Sequence, residues 1–481
     1  SEPLYKTPKS VQETIEILKI SESGIFEVAN GKYSKTYRFS DVNYATRTED
    51  EQESFFQRYC KCLNSFDCTF KITVNNKNKD MELLKDEVML KYKGDSYDGM
   101  RESYNNIIEE KIMEGRQGIE QERYITVTVD RKNFEEAKSQ FATIENSMFK
   151  SFQELGSRLT PLNGNERLKI LHDYYRLGRE EEFSFDIKDG KKTGTDFRNE
   201  ICNSKVIYNQ DYFEDEGKVG RVLFIKKYPT YLSDRFFNEL IFLPIHSITS
   251  IDVVPVPKDL TMRMLQKKYM GIESDIIKQQ RTRNRNNDFS SDISYNTRRQ
   301  KEDIEDIMNN VRENDENLFF VGVTMIVMAD TKEELDSICE TIDSIAKGAG
   351  CAIDTCMYKQ REAVNTTLPI GVRQIETMRT MLTQSLAVLM PFNVQELCDN
   401  GGIYYGVNQI SKNIIVGNRK KLLNGNGFIF GVSGAGKSFQ AKMEMGSVLL
   451  STDDNVIAVD PMNGAKRSYL KRVGAIFIKL Y

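Results

Sequence analysis

Eight residues, Gly431-Val432-Ser433-Gly434-Ala435-Gly436-Lys437-Ser438, match the pattern G-x-x-x-x-G-K-[ST] at every fixed position. The chemistry this spacing serves is phosphate binding. Glycines leave room for backbone N–H groups to wrap phosphate oxygens, and their missing Cβ atoms permit the tight turns. Lys437 is placed to bring a point charge to the β and γ phosphates and is the expected catalytic residue. The Ser438 hydroxyl is the expected Mg²⁺ ligand, and a helix starting there aims its positive end at the anion. The predicted nucleotide contacts are Gly431, Ser433, Gly434, Ala435, Gly436, Lys437, Ser438 and Phe439.

The flanking elements fit that use. "FIF" (428–430) before the loop is expected to be a short buried strand, and Phe439 to Leu450 carries a helical pattern. "NVIAVD" (455–460) reads as a second strand ending at Asp460, "KRSYLKRV" as a helix and "AIFIKLY" (475–481) as a third strand. Strand, loop, helix, strand is the crossover unit of a P-loop fold. Hydrolysis in such folds also needs an acid on a further strand and usually an arginine supplied in trans. The chain is therefore read as an N-terminal region plus the opening of an ATPase core, expected to bind nucleotide weakly and not to turn it over alone.

Upstream, "CTFKITV" (68–74) alternates apolar Cys68, Phe70, Ile72 and Val74 with polar residues, as a half-buried strand does, and "EQESFFQRYCKCL" before it fits a helix. The polar stretch from Asn75 to about Gln121 carries helical patterns and no identifiable chemistry. "RYITVTVD" (123–130) is a strand followed by a helix with Phe134, Ala137, Phe141, Ile144, Met148 and Phe152 on one face. The grammar returns in "LFFVGVTMIVMAD" (318–330), then a helix with Leu335, Ile338, Ile342 and Ile345 on one face and "CAIDTC" as a returning strand. Thr331 and Glu334 suggest a capping box, and Gly348 or Gly350 a stop. Both units run strand, Asp-x-Lys, helix, which suggests a repeat of two sandwich halves; shared turn chemistry accounts for the resemblance equally well. The expected fold class is α/β: an α+β N-terminal region with ferredoxin-like βα units, then the start of a RecA-like P-loop domain. The expected divisions are 1–120, 121–400 and 401–481.

Composition narrows the function. A formal net charge of −4 argues against a chain built mainly to coat nucleic acid. The longest apolar runs are too short to span a bilayer, and the polar N-terminus lacks a signal-peptide core. The eight cysteines show no paired zinc spacing and read as reduced thiols, and two histidines leave little room for a Ser–His or Cys–His hydrolase. Segment 278–301 holds seven basic residues against Asp288 and Asp292. It reads as a solvated loop joining two helices, with DNA or anionic lipid as the functional alternative.

Taken together, the quoted stretches resemble a known family. "KTPKSVQETI", "GIFEVANGKYSKTYRFSDVNYA", "LNSFD", "YITVTVDRKNFEEA", "DYFEDEGKVGRVLF", "SIDVVPVP" and the block from "SLAVLMPFNVQELCDNGG" through "GIYYGVN" and "KNIIVGNR" to the P-loop carry the resemblance. The chain is similar, over essentially its whole length, to the CagE/TrbE/VirB-type conjugal-transfer ATPases of type IV secretion systems, in the form found on integrative conjugative elements of Gram-positive bacteria. The resemblance implies ATP and Mg²⁺ as cofactors and a cytoplasmic location, peripheral at the inner face of the cell membrane. It implies a homo-oligomer, a hexamer when intact, that works with inner-membrane channel subunits and a coupling protein to power DNA or protein transfer. A non-hydrolysing docking module and an FtsK/HerA-like DNA translocase are the alternatives. One departure is Met462-Asn463-Gly464 after Asp460-Pro461, where relatives tend to place an acidic-aromatic pair, so a role for Asp460 stays open.

Overall fold

The computed structural model describes residues 8–78, 81–114, 119–229, 232–285, 295–459 and 476–478. Contacts group the chain into two units, 1–76 with 121–393 and 77–120 with 394–481. Segment 77–120, which the sequence reading kept with the N-terminal residues, thus packs with the C-terminal ones.

The first unit is built on one large sheet. Its strands in chain order are β1 (Phe26–Ala29), β2 (Lys32–Phe39), β3 (Thr69–Asn78), β4 (Ile119–Asp130), β5 (Leu159–Pro161) and β6 (Val206–Tyr208). They continue with β7 (Phe213–Asp215), β8 (Lys218–Lys227), β9 (Ser247–Val256), β10 (Leu318–Ala329), β11 (Ala352–Thr355) and β12 (Arg379–Leu382). The main path runs β1-β2-β4-β3-β9-β10-β8-β7-β6, with β5 on β2, β11 on β8 and β12 on β10.

Hidden in that order is a duplication. Strands β2, β3, β4 and β5, with helices Glu49–Asn64 and Phe134–Leu155 between them, form a βαββαβ unit in the order β5-β2-β4-β3. Strands β8, β9, β10 and β11, with helices Asp234–Ile241 and Lys332–Gly348, repeat it in the order β11-β8-β10-β9. Each is the split βαβ, ferredoxin-like arrangement. The halves join through equivalent strands: β3 pairs antiparallel with β9, Phe70 opposite Val253 and Asn76 opposite Ser247. The two Asp-x-Lys turns, at Asp130 and Asp330, occupy matching positions between the third strand and second helix of each half. In both halves the connection from second to third strand is enlarged into helices: Met81–Val88 with Asp98–Glu114, and Lys258–Arg285 with Tyr295–Glu313.

Strand alternation dictates two faces. On one, Tyr37, Phe70, Ile72, Ile125, Val127, Val253, Phe319 and Val321 pack beneath the four helices, which contribute Phe55, Phe141, Phe152, Phe237, Leu335 and Ile342. The helix spacings of three and four residues meet this face as expected. At the second helix of the later half, the Thr331 side chain caps the Glu334 N–H at 3.2 Å. Glu334 reaches back to the Asp330 N–H rather than to Thr331, so the capping box is displaced by one residue.

The opposite face is equally dry but mixed: Val222, Ile248, Ile326 and Met328 join a second apolar core there, and the rest of the face is polar. Ser34, Thr36, Lys71, Thr73, Thr126, Ser250, Asp252 and Thr324 are all buried. The polar side of β3 is therefore not the solvated side of a half-buried strand. A strap, residues 366–373, crosses it, and the sheet's side chains hydrogen-bond the strap's backbone. Ser34 Oγ donates to Ile370 O at 2.6 Å, Thr128 Oγ1 to Gly371 O at 2.9 Å and Ser250 Oγ to Thr367 O at 2.5 Å. Lys71 Nζ donates to the carbonyls of Thr366, Leu368 and Val372. Arg167, itself buried, donates to Pro369 O and Ile370 O at 3.2 and 3.3 Å. Backbone carbonyls that a buried connection would otherwise orphan are thereby satisfied.

Eight free thiols are present; Cys60 and Cys62 are buried on the first helix, and burial pushes each up to about 12. Among the described residues no helix is long and apolar enough to cross a membrane.

Candidate functional site

The phosphate-loop residues lie in the second unit, whose frame is small. Strands β13 (Ile403–Val407) and β14 (Ile414–Gly417), from the segments "GIYYGVN" and "KNIIVGNR", form an antiparallel hairpin. Strands β15 (Ile457–Val459) and β16 (Ile476–Ile478) pair in parallel, as expected for a crossover unit. Helix Lys437–Ser451 follows the loop directly.

Three supports hold that helix. Its residues Met445, Leu449 and Leu450 pack with Leu90, Tyr97, Met100 and Tyr104 from the 81–114 insertion. The same insertion contributes Leu84, Val88, Ile108 and Ile112 to a core with Ile414 and Val416 of the hairpin. On the helix itself Glu444 accepts from Tyr405 Oη at 2.8 Å and from Arg419 at 2.7 Å. At the far end the Arg101 guanidinium, 2% exposed, donates to Leu450 O at 3.3 Å. Arg101 also binds Asp95 at 2.6 Å and Asp98 at 2.5 Å. A cation at a helix C-terminus favours the helix dipole, and its charge is balanced by two carboxylates, both held below the usual range. For Asp95 the hydrogen bond from Arg101 is the largest cause, and for Asp98 the backbone N–H of Lys93.

The loop has the backbone its sequence requires. Gly434 and Gly436 take φ of 84° and 88°, where a side chain is strained, and an added Cβ at either would meet nothing within 4 Å. At Gly431 an added Cβ would lie 3.3 Å from Ala435 Cβ and from Lys437 Cγ. Gly436 caps the helix with no side-chain hydrogen bond, so the first-turn N–H groups of Lys437, Ser438 and Phe439 face outward without an intrahelical acceptor. Lys437 Nζ arches back over the loop and donates to Gly431 O and Val432 O, each at 2.7 Å. Ser433, Gly434, Ala435, Gly436 and Ser438 are exposed, and Phe439 is 68% exposed. Backbone N–H donors, an ammonium and a hydroxyl at the helix start form a donor set suited to an anion such as a phosphate group.

The preceding segment departs from expectation. Residues 427–431 form no strand, and Phe428 and Phe430 are 84% and 86% exposed, with rings stacked at 5.7 Å. A strand exists only when a neighbour completes its ladder; among the described residues β15 pairs with β16 alone and leaves this segment unpaired. Asp460 and the "KRSYLKRV" helix lie outside the described residues.

Arg101, Tyr405, Arg419 and Glu444 were not singled out by sequence. Arg101 sits within the polar 75–121 stretch, where nothing in its neighbours marks it as buried. No protein-family model and no curated protein matches this chain.

Proposed function

We propose that the loop 431–438 binds ATP with Mg²⁺, and that the chain is the docking region and nucleotide-gripping part of a motor that powers conjugative or type IV secretion transfer. The observation that carries the nucleotide reading is the complete phosphate-loop pattern closed by left-handed Gly434 and Gly436, with the Lys437 ammonium held on the Gly431 and Val432 carbonyls of the loop. In this reading Lys437 releases the two loop carbonyls to meet the β and γ phosphates. The backbone N–H groups between Ser433 and Phe439 would donate to the remaining oxygens, and Ser438 Oγ would hold a Mg²⁺ ion, whose chemistry would be to neutralise charge on the phosphates. The secretion role rests on the family resemblance and on an elaborated βαββαβ duplication suited to docking; inner-membrane channel subunits and a coupling protein are its proposed partners, and a hexamer its working form. The location proposed with it is cytoplasmic and peripheral at the inner face of the membrane.

The test is titration of a fluorescent ATP analogue into the 481-residue protein with and without Mg²⁺. Saturable, Mg²⁺-dependent binding that disappears in Lys437→Ala supports the reading, and equal binding by both proteins overturns it. Stimulation of ATP turnover by duplex DNA would instead point to a translocase.

A further inference from the structure

The helical hairpin Lys258–Arg285 and Tyr295–Glu313 corrects the loop reading at 278–285 and 295–301, because all seven basic residues of the segment extend the helices; residues 286–294 lie outside the described residues. Lysine, arginine and glutamine lose little side-chain freedom in a helix, so a polar composition does not by itself break one. The hairpin leans mainly on itself: Tyr269 Oη donates to Glu305 at 3.1 Å, Lys301 binds Glu273 at 3.3 Å, and the Lys301 ammonium lies 5.1 Å from the Tyr269 ring centre. Only Thr261, Leu265 and Val311, all at its base, are buried among the described hairpin residues.

Its distal part is chemically one-sided. Residues 278–285 and 295–301 contain Lys278, Arg281, Arg283, Arg285, Arg298, Arg299 and Lys301 and no acid. Lys278 lies 3.6 Å from Asp275, whereas Arg281, Arg285, Arg298 and Arg299 form no ion pair among the described residues. Apolar side chains accompany this charge: Met270 is 62% exposed, Ile277 48% and Tyr295 75%. Met270, Ile277 and Arg281 are spaced by seven and four residues, which at about 100° per residue puts all three on one strip of the helix. Two exposed aliphatic side chains thus lie in line with an arginine that has no carboxylate partner among the described residues, and exposed Tyr295 opens the second helix.

We propose that this hairpin docks on an anionic lipid bilayer, its arginines on headgroup phosphates and Met270, Ile277 and Tyr295 at the headgroup–acyl boundary. The proposal deepens the peripheral membrane location given above by naming the surface and the lipid chemistry. A bilayer is favoured over a nucleic acid because the exposed strip carries apolar anchors in line with the charge; phosphate-backbone binding uses the charge and leaves Met270 and Ile277 in water. The hairpin holds no span of its own, and the binding is interfacial and weakened by salt.

The experiment is co-sedimentation of the 481-residue protein with vesicles of phosphatidylglycerol and phosphatidylcholine, and with phosphatidylcholine vesicles alone. Binding is expected only to the anionic vesicles. Each neutralised arginine should weaken it about fivefold, so Arg281→Gln/Arg298→Gln should lose roughly 30-fold. Met270→Ser/Ile277→Ser should weaken vesicle binding while leaving the residual affinity for a DNA duplex unchanged. Wild-type vesicle affinity in the arginine variant overturns the hairpin's role and leaves the peripheral location to another surface. Absence of any anionic-vesicle binding, or preference for duplex DNA over vesicles, overturns the lipid assignment itself. Lys437→Ala should bind vesicles like the wild type, so the failure of either proposal is distinguishable from that of the other.

Discussion

Replacing Asp252 by asparagine leaves two cations stranded inside the sheet. The Asp252 carboxylate is shared by Arg373, at 2.8 Å, and by Lys71, at 3.4 Å, with side-chain exposures of 5%, 14% and 2% respectively. Burial already holds the Lys71 ammonium below its ordinary range, with Asp252 acting against it. Breaking a buried pair by removing one partner costs about 3–5 kcal/mol, because the remaining charge is neither solvated nor matched. Asp252→Asn orphans two charges and belongs at or above the top of that range. Lys71→Met removes a charge and keeps the Arg373–Asp252 pair intact; Leu368 O keeps the Ile370 N–H, so the cost is the donor lost by the Thr366 and Val372 carbonyls, about 1–3 kcal/mol each. In the double variant only Arg373 is left unmatched, so the two costs must fall short of additivity by about 1–3 kcal/mol. The protein contains no tryptophan, so urea unfolding is followed by far-UV circular dichroism, with proteolysis of the strap as a local readout. Lys71→Met costing more than Asp252→Asn, or additivity within about 0.5 kcal/mol, would refute the shared-carboxylate reasoning.

Three further outcomes are expected. Asp215 is buried beside Tyr174 and Tyr175 and accepts from Asn203 at 2.6 Å; burial raises its carboxyl to about 7. A raised carboxyl pKa penalises the folded state as pH climbs from about 4 towards 7, so Asp215→Asn should gain stability relative to wild type at pH 8 and little at pH 4, in thermal melts; an unchanged pH profile counts against it. Gly371→Ala should destabilise by about 3 kcal/mol or more, since φ is 98° and the new Cβ would meet Ser34 Cβ at 2.6 Å; a melt within a degree of wild type is the contrary result. Arg101→Met should loosen helix Lys437–Ser451, because Asp95 and Asp98 lose their cation and Leu450 O its donor; faster amide exchange confined to residues 90–105 and 445–453 is the expected signature, and unaltered exchange there contradicts the assignment.

Strands β3, β4 and β10 and the helices after β4 and β10 were legible because burial on one side leaves a period in the sequence: Phe70, Ile72 and Val74 alternate, and Phe134, Ala137 and Phe141 recur at three and four. The phosphate loop was legible because its conformation restricts residue type. The dry polar face was not, since Lys71 and Thr73 read as solvent-facing until a strap some 300 residues later in sequence covers them. Periodicity reports that two faces differ, not what lies over each. The β3–β9 junction escaped for a related reason, because strand pairing at that separation leaves no local mark. Phe428 and Phe430 illustrate the opposite failure: an apolar pattern states a need for a partner and does not supply one.

The insertion after β3 sets a schedule for synthesis. Helices Met81–Val88 and Asp98–Glu114 leave the ribosome early, but Ile414, Val416 and Leu450, against which their apolar sides rest, come roughly 300 residues later. At about 5–20 residues per second that is on the order of 15–60 s of waiting. During it Leu84, Val88, Ile108 and Ile112 have no native cover, although the strands on either side of them are already free to pair. The nascent chain is thus a sticky intermediate by construction. Its yield should depend on chaperone capacity and translation speed more than on the final stability of either unit.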